Sequence, residues 1–283
     1  MDQLTKLLTE TKIPVGKTAK AVFDWLNLHA AAFFNAVSSL LDGLIGAILK
    51  LLEFPHPLIF TALAVALTWA LQRSWQTCLL VGLGFLFILN QGYWDETMQS
   101  LTLVLSACVV CMAIGLPVGI AAAHRPRLYA WMRPVLDLMQ TLPTFVYLIP
   151  AIVFFGIGMV PGLIATVIFV LPAPIRLTHL GISSTPKALV EAATAFGATP
   201  RQLLWKVELP SALPQIMAGM NQTIMLSLSM VVIAALVGAS GLGVPVVRAL
   251  NSVNTALGFE SGIIIVVVAI MLDRMLRVRG RHD

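Results

Sequence analysis

Charged side chains are scarce in this 283-residue sequence: 18 lysines and arginines and 13 aspartates and glutamates, 11% of the chain, where a soluble domain carries about a quarter. That shortage excludes a water-soluble globular protein. Cysteine is scarcer, at three residues. Cys78, Cys108 and Cys111 all lie in apolar stretches, so neither a disulfide framework nor a zinc site is indicated. Cys108 and Cys111 have the spacing to touch on one helix face, but no histidine accompanies them, and small thiols are ordinary helix-packing residues. The five histidines, His29, His56, His124, His179 and His282, lack ligand spacing and read as interfacial or solvated, so no metal site is expected. No acid stands deep in an apolar stretch, where a cation-coupled carrier would often place one. Asp137 and Asp273 lie near stretch ends and read as helix-end or salt-bridging residues. The N-terminus lacks the basic-then-apolar order of a cleavable signal and is expected to be retained. Gly16-Lys17-Thr18 resembles the end of a phosphate-binding loop, but Thr11 stands where that loop needs glycine and no buried strand precedes it. ATP binding by this chain is not expected.

What is present is apolar surface. Hydrophobic residues make up 58% of the sequence, enough for six to eight spans of about 20 residues. The expected fold is all-α, a polytopic transmembrane bundle with spans near 58–71, 76–91, 98–122, 138–156, 162–180, 217–238 and 259–276. Gly115-x-x-x-Gly119 and Gly158-x-x-x-Gly162 have the spacing for close helix approach and read as packing. Ahead of the spans, apolar residues at helical period from Phe33 to Leu52 face Asn35, Ser38, Ser39, Asp42 and Lys50, which marks an amphipathic helix at the interface or bundle flank, ended by Pro55 and Pro57. The chain therefore divides into a leader, 1–57, and a transmembrane domain, 58–283.

Basic residues set the topology. Arg73, Arg125, Arg127, Arg133, Arg176, Lys187, Arg201, Lys206, Arg274, Arg277, Arg279 and Arg281 fall in one set of loops and the tail, and the positive-inside rule places these in the cytoplasm. Seven spans with a cytoplasmic C-terminus leave the N-terminus outside. If the amphipathic helix crosses instead, there are eight spans and the N-terminus is inside.

The long segment 185–218 reads as two short cytoplasmic helices. KALVEAATAF winds until Gly197 stops it. Thr199 caps and Pro200 opens RQLLWKVEL, which Pro210 is expected to end. Ala192, Ala193 and Ala195 beside Glu191 give a small-residue surface suited to close docking.

Glu191-Ala192-Ala193, then Gly197, Val207 and Leu209-Pro210 resemble the EAA loop of the membrane subunits of binding-protein-dependent ABC importers; Val207 stands where that family usually has Ile. The stretch 139–182 and GASGLGVPVVRAL at 238–250 extend the likeness to the permeases for glycine betaine, proline betaine, carnitine and choline, over roughly residues 58–275. The resemblance implies a type I importer permease in the bacterial inner membrane, acting as a homodimer with separate ABC ATPase subunits, which use the ATP, and an external substrate-binding protein. It implies that Glu191 orients the loop, Ala192 and Ala193 allow docking, Gly197 makes the turn, and Leu209 with Pro210 anchors and ends the second helix. No nucleic acid and no cofactor of this chain's own is implied. For the path, Asn221, Gln222, Thr223, Ser227 and Ser229 offer polar groups, with Thr223 and Ser227 on one face and Gln222 and Ser229 on another. Helix-to-helix hydrogen bonding explains them equally well. Tyr147 is a weaker candidate, since aromatic faces accept quaternary ammonium. Another amine or amino acid as cargo, or a self-sufficient secondary carrier, are the competing readings.

Overall fold

The computed structural model describes residues 15–276, and every regular element among them is helical. In chain order these are α1 (Val15–Glu53), α2 (Pro57–Gln72), α3 (Trp75–Asn90), α4 (Trp94–His124), α5 (Pro126–Thr141), α6 (Thr144–Phe155), α7 (Met159–Val170), α8 (Pro172–Ser183), α9 (Lys187–Ala195), α10 (Pro200–Leu203), α11 (Leu209–Ala235), α12 (Gly243–Ser252) and α13 (Thr255–Leu276). Five stretches are long and apolar enough to cross a membrane: 16–53, 94–124, 159–183, 200–235 and 255–276. The pair α5–α6 meets the same criteria only when its two helices are taken together, and it is bent.

The span near 138–156 is broken. Its two halves meet at 96°, because Pro143 pushes Leu142 out of the helical region to φ −64°, ψ 135°. Tyr147 braces the corner, its hydroxyl donating to the Met139 carbonyl at 2.6 Å. The two spans expected at 58–71 and 76–91 are helices of 16 residues each, about 24 Å long, against a hydrocarbon core of about 30 Å. They form a hairpin through Arg73, which adopts a left-handed conformation (φ 46°).

The leader differs from expectation. Its helix covers Val15–Glu53 and so already runs ahead of Phe33, and it bends at Ala30, where φ is −115°. It lies along α4, α6 and α7, with Phe34 stacked on Phe154 at 4.4 Å and Phe23 edge-on to the same ring at 5.5 Å. The polar residues that interrupt its apolar face do not stop it from qualifying as a span by length and composition.

The densest packing joins α8 to α4 and α11, and glycine makes it possible. A β-carbon on Gly119 would lie 2.6 Å from Thr178 Cβ and 2.8 Å from the Ile175 carbonyl, and one on Gly115 2.9 Å from Pro174 Cγ. Gly181 of α8 faces Ala212 and Gln215 of α11 in the same way. Gly158 lies outside its helix at φ 145°, so only Gly162 of that pair packs, against Ala234 and Ala239. Around this seam Ile88, Met98, Leu103, Val231 and Ile264 form the buried core. Several buried threonine hydroxyls turn back onto their own helix, as Thr102 does to the Met98 carbonyl at 2.8 Å, which satisfies them without water, while the buried hydroxyls of Ser106, Thr178 and Ser227 have no hydrogen-bond partner among the described residues. Cys108 and Cys111 are buried free thiols.

Candidate functional site

At the end of α8 the chain leaves the bundle and forms an arm. α9 has no buried residue, so its burial cannot be what fixes its shape. Local chemistry fixes it. Gly197 takes φ +79°, the Ala198 amide donates to the Ala193 carbonyl at 3.0 Å and the Gly197 amide to Thr194 at 2.9 Å. These two bonds make a Schellman stop, whose left-handed position strongly favours glycine. Two residues on, the Thr199 hydroxyl accepts from the Gln202 amide at 3.3 Å and the Gln202 side chain accepts from the Thr199 amide at 2.9 Å. That reciprocal capping box starts α10, with Pro200 in its first turn.

The arm does not end at Pro210. From Leu204 to Glu208 the helix widens into a π turn, and the Leu209 amide donates to the Leu204 carbonyl, five residues back. A proline ring crowds the carbonyl four residues behind it, and the widened turn absorbs that crowding. The helical run therefore continues unbroken from Pro200 to Ala235, a rod of about 54 Å. Leu209 and Pro210 are the first residues of a span rather than the terminus of an arm helix.

The π turn is tied to the bundle twice. Leu204 and Leu209 pack on a cluster built from Ile182, Ala212, Ile216, Leu116 and Ile120. Glu208, with a side chain only 10% exposed, pairs through Oε2 with His124 Nε2 at 2.8 Å. His124 is the last residue of α4, so it is engaged rather than simply solvated, and nothing in its sequence spacing pointed to Glu208. His179 is engaged also, stacked face to face on Tyr129 at 3.6 Å. Asp137 pairs with Arg176 at 2.6 Å, and Asp273 accepts from Asn221 at 3.4 Å, in line with their reading as bridging residues.

Glu191, Ala192, Ala195 and Gly197 stand exposed on the arm, Ala193 and Leu209 are half-buried, and Pro210 is exposed. Phe196, 92% exposed, and Trp205, 63% exposed, project beside them. Such apolar knobs on a helix outside the bundle suit a protein groove. The polar candidates on α11 divide by face. Thr223 and Ser227 are buried together, Thr223 bonded back to Gly219 at 2.8 Å. Gln222 and Ser229 lie together on the exposed face, with Asn221 between the two sets. Tyr147 is buried at the α5–α6 corner. Glu191, Ala192, Ala193 and Gly197 thus lie together on the arm, Leu209 and Pro210 begin the span behind it, and the six α11 and α6 candidates do not form one site.

At the opposite end, the loop after α11 is pinned to two helix starts. The Gly158 amide donates to Val237 at 2.9 Å, and Ser100 Oγ accepts from the Leu242 amide at 2.8 Å. Gly241, at φ +124°, sits with its α-carbon hydrogens against Ser100 where a side chain would meet Oγ at 2.5 Å.

A bundle of apolar spans, one of them extended into an exposed arm, defines a polytopic membrane protein. The chain belongs to the family described as binding-protein-dependent transport system inner membrane component, whose model matches residues 115–278. It is similar to the glycine betaine transport system permease protein OpuAB of Bacillus subtilis, 45% identical over 93% of each chain. The glycine betaine/carnitine transport permease protein GbuB of Listeria monocytogenes is 46% identical, over 93% of this chain and 94% of that protein. The glycine betaine/proline betaine transport system permease protein ProW of Escherichia coli is 42% identical, over 97% of this chain and 77% of that protein. In fold, 66% of the chain superposes on 92% of a chain from an inward-facing MetNI methionine ABC transporter, with a TM-score of 0.57 and 24% identity. The protein is a multi-pass inner-membrane permease of an ABC importer, a class that works with an ATPase and a substrate-binding protein.

Proposed function

We propose that this permease imports quaternary amines, glycine betaine or related betaines and choline, and that the arm is its coupling element. The carrying observation is the arm itself: a small-residue face at Glu191, Ala192 and Ala193, held by the Gly197 stop and rooted through the π turn into a span. The named cargo of the relatives supports the substrate class. Two copies form a homodimer and share one path, with two ATPase subunits on the arm side and one binding protein on the other. ATP is bound and hydrolysed by the ATPase, and this chain holds no cofactor.

The mechanism follows from the rod. Closure of the ATPase pair displaces α9, the displacement passes through the π turn at 204–208 and on through Leu209 and Pro210 into α11, and α8 moves with it because glycine packing leaves no slack between them. The path opens outward, receives substrate, and hydrolysis returns it inward. Gln222 and Ser229, on the exposed face of α11, line the path at the boundary between copies. Asn221 ties α11 to Asp273 of α13, Thr223 and Ser227 are buried within one copy, and Tyr147 holds the corner beside the path.

The arm side is cytoplasmic, where the basic loops concentrate. The C-terminus then lies in the cytoplasm, and the leader 1–57, its helix lying on the flank of the bundle rather than crossing the bilayer, precedes the permease domain 58–283 from outside.

The test is uptake of labelled glycine betaine and choline in cells lacking only this chain, with the intact gene restored. Loss and rescue of uptake are expected. Unchanged uptake of both compounds, with the partner proteins expressed, overturns the cargo assignment.

A further inference from the structure

We propose that α5 is an interfacial anchor lying in the plane of the membrane, holding anionic phospholipid on the arm side of the bilayer. One face of α5 is already committed to protein. Leu136 is 3% exposed, Tyr129 stacks on His179, and Asp137 pairs with Arg176. A different face is bare. Leu128, Trp131, Val135 and Leu138 are all exposed, Trp131 by 82%, and their spacing of i, i+3, i+7 and i+10 makes a continuous apolar stripe.

Depth and direction come from the neighbours. Arg176 and His179, the residues α5 leans on, stand 17 and 20 positions after Met159 at the start of that span, which is about 26 and 30 Å along the helix. The hydrocarbon core is about 30 Å thick, so α5 runs where it ends. The bend of 96° between α5 and α6 turns α5 across the direction of α6. A helix at that level and angle, with one apolar stripe, buries the stripe among acyl chains and keeps its charges at the headgroups.

Charge selects the occupant. Arg127 borders the stripe, Arg125 precedes the helix and Arg133 lies on its other side, all exposed. The single acid of α5, Asp137, is engaged by Arg176. A second copy of α5 laid on the stripe would bring the same arginines and no free acid to meet them. An anionic leaflet meets Arg125 and Arg127 directly, and a tryptophan at the boundary is the side chain that interfaces favour.

The choice of leaflet rests on the cytoplasmic placement of the arm; the lipid contact itself does not depend on transport. The experiment uses the full chain, with and without its ATPase, in vesicles of phosphatidylcholine containing zero or 30% phosphatidylglycerol. Brominated phosphatidylcholine quenches tryptophan within the acyl region, and the difference between wild type and Trp131→Phe isolates residue 131. Quenching stronger from shallow than from deep bromines is expected, and the phosphatidylglycerol retained per purified chain should fall at least twofold in Arg125→Gln/Arg127→Gln. Nitroxide labels at 128, 131, 135 and 138 in a cysteine-free variant should show access to oxygen and not to a water-soluble nickel chelate. Chelate access along the stripe, dipolar broadening between copies, or retention unchanged by the arginine variants would each overturn the proposal. Failure of betaine uptake in the intact complex, with the quenching result as expected, would instead count against the transport reading.

Discussion

The glycine seam makes a sharp demand on Gly119. Replacing it with alanine puts a β-carbon 2.6 Å from Thr178 Cβ, 2.9 Å from Thr178 Cγ2 and 2.8 Å from the Ile175 carbonyl, where carbon contacts prefer about 3.5–4.0 Å. Two of the three obstacles belong to one side chain, but the third is backbone and cannot rotate away. α4 and α8 must separate by roughly 1 Å, and overpacking of this kind costs about 1–3 kcal/mol. Against that stands a gain in helix propensity of about 1 kcal/mol for alanine over glycine. Because the carbonyl cannot yield, the overpacking falls in the upper part of that range, about 2–3 kcal/mol, and the net loss of about 1–2 kcal/mol lowers the midpoint by roughly 2–8 °C in a chain of this size. Gly43 of α1 has nothing within 4 Å of its β-position, so Gly43→Ala carries the propensity gain without the clash. The assay is a fixed-rate thermal scan of the purified chain in mild detergent, read by a thiol-reactive fluorophore that reports exposure of buried Cys108 and Cys111. The expected order is Gly43→Ala at or above wild type and Gly119→Ala several degrees below. Adding Thr178→Gly should recover part of the loss and not all, because the Ile175 carbonyl remains. If Gly119→Ala melts with wild type or above it, the two helices are not in the contact that links α8 to the rest of the bundle.

Other outcomes follow from the arm. His124→Ala strands the Glu208 carboxylate, at a cost of about 1.5–3 kcal/mol for a charged hydrogen bond; Glu208→Gln keeps an acceptor for His124 and should do less harm. In the reconstituted importer, ATP hydrolysed per molecule imported should rise for His124→Ala and stay near wild type for Glu208→Gln, and equal ratios in all three would remove the pair from coupling. Gly197→Asn, tolerant of a left-handed backbone, should retain more uptake than Gly197→Val at equal membrane abundance; equal uptake would show that the Schellman stop is dispensable. Thr199→Ala should weaken the arm by about 1 kcal/mol, seen as faster proteolysis after Lys206 with the bundle intact, and unchanged cleavage would contradict the capping box.

Much of the arm was legible in the sequence because its instructions are local. Gly197 needs only its own backbone freedom, and Thr199, Pro200 and Gln202 sit within one turn of the bonds they make. Pro210 misled for the same reason: a proline viewed alone reads as a stop, and the π turn that accommodates it depends on packing from Ile182, Ala212 and the end of α4. The spans at 94–124 and 255–276 were visible as long apolar runs. The corner at Leu142–Pro143 was hidden inside such a run, since hydrophobicity carries no direction. The leader helix was read short because Lys17, Lys20 and Asp24 dilute its apolar pattern. His124 and Glu208 are 84 residues apart, and no periodicity connects them. Thr223 with Ser227, and Gln222 with Ser229, did fall on the two faces their spacing gave, but which face meets a second copy depends on an assembly that one chain does not contain.

Proteoliposomes holding this chain, its ATPase and its binding protein allow uptake and energy source to be read in one vessel. Labelled glycine betaine should enter only when ATP is present on the ATPase side and the binding protein on the other, and should be indifferent to imposed sodium or proton gradients. Entry driven by such a gradient without ATP would make the protein a secondary carrier and contradict the coupling role of the arm.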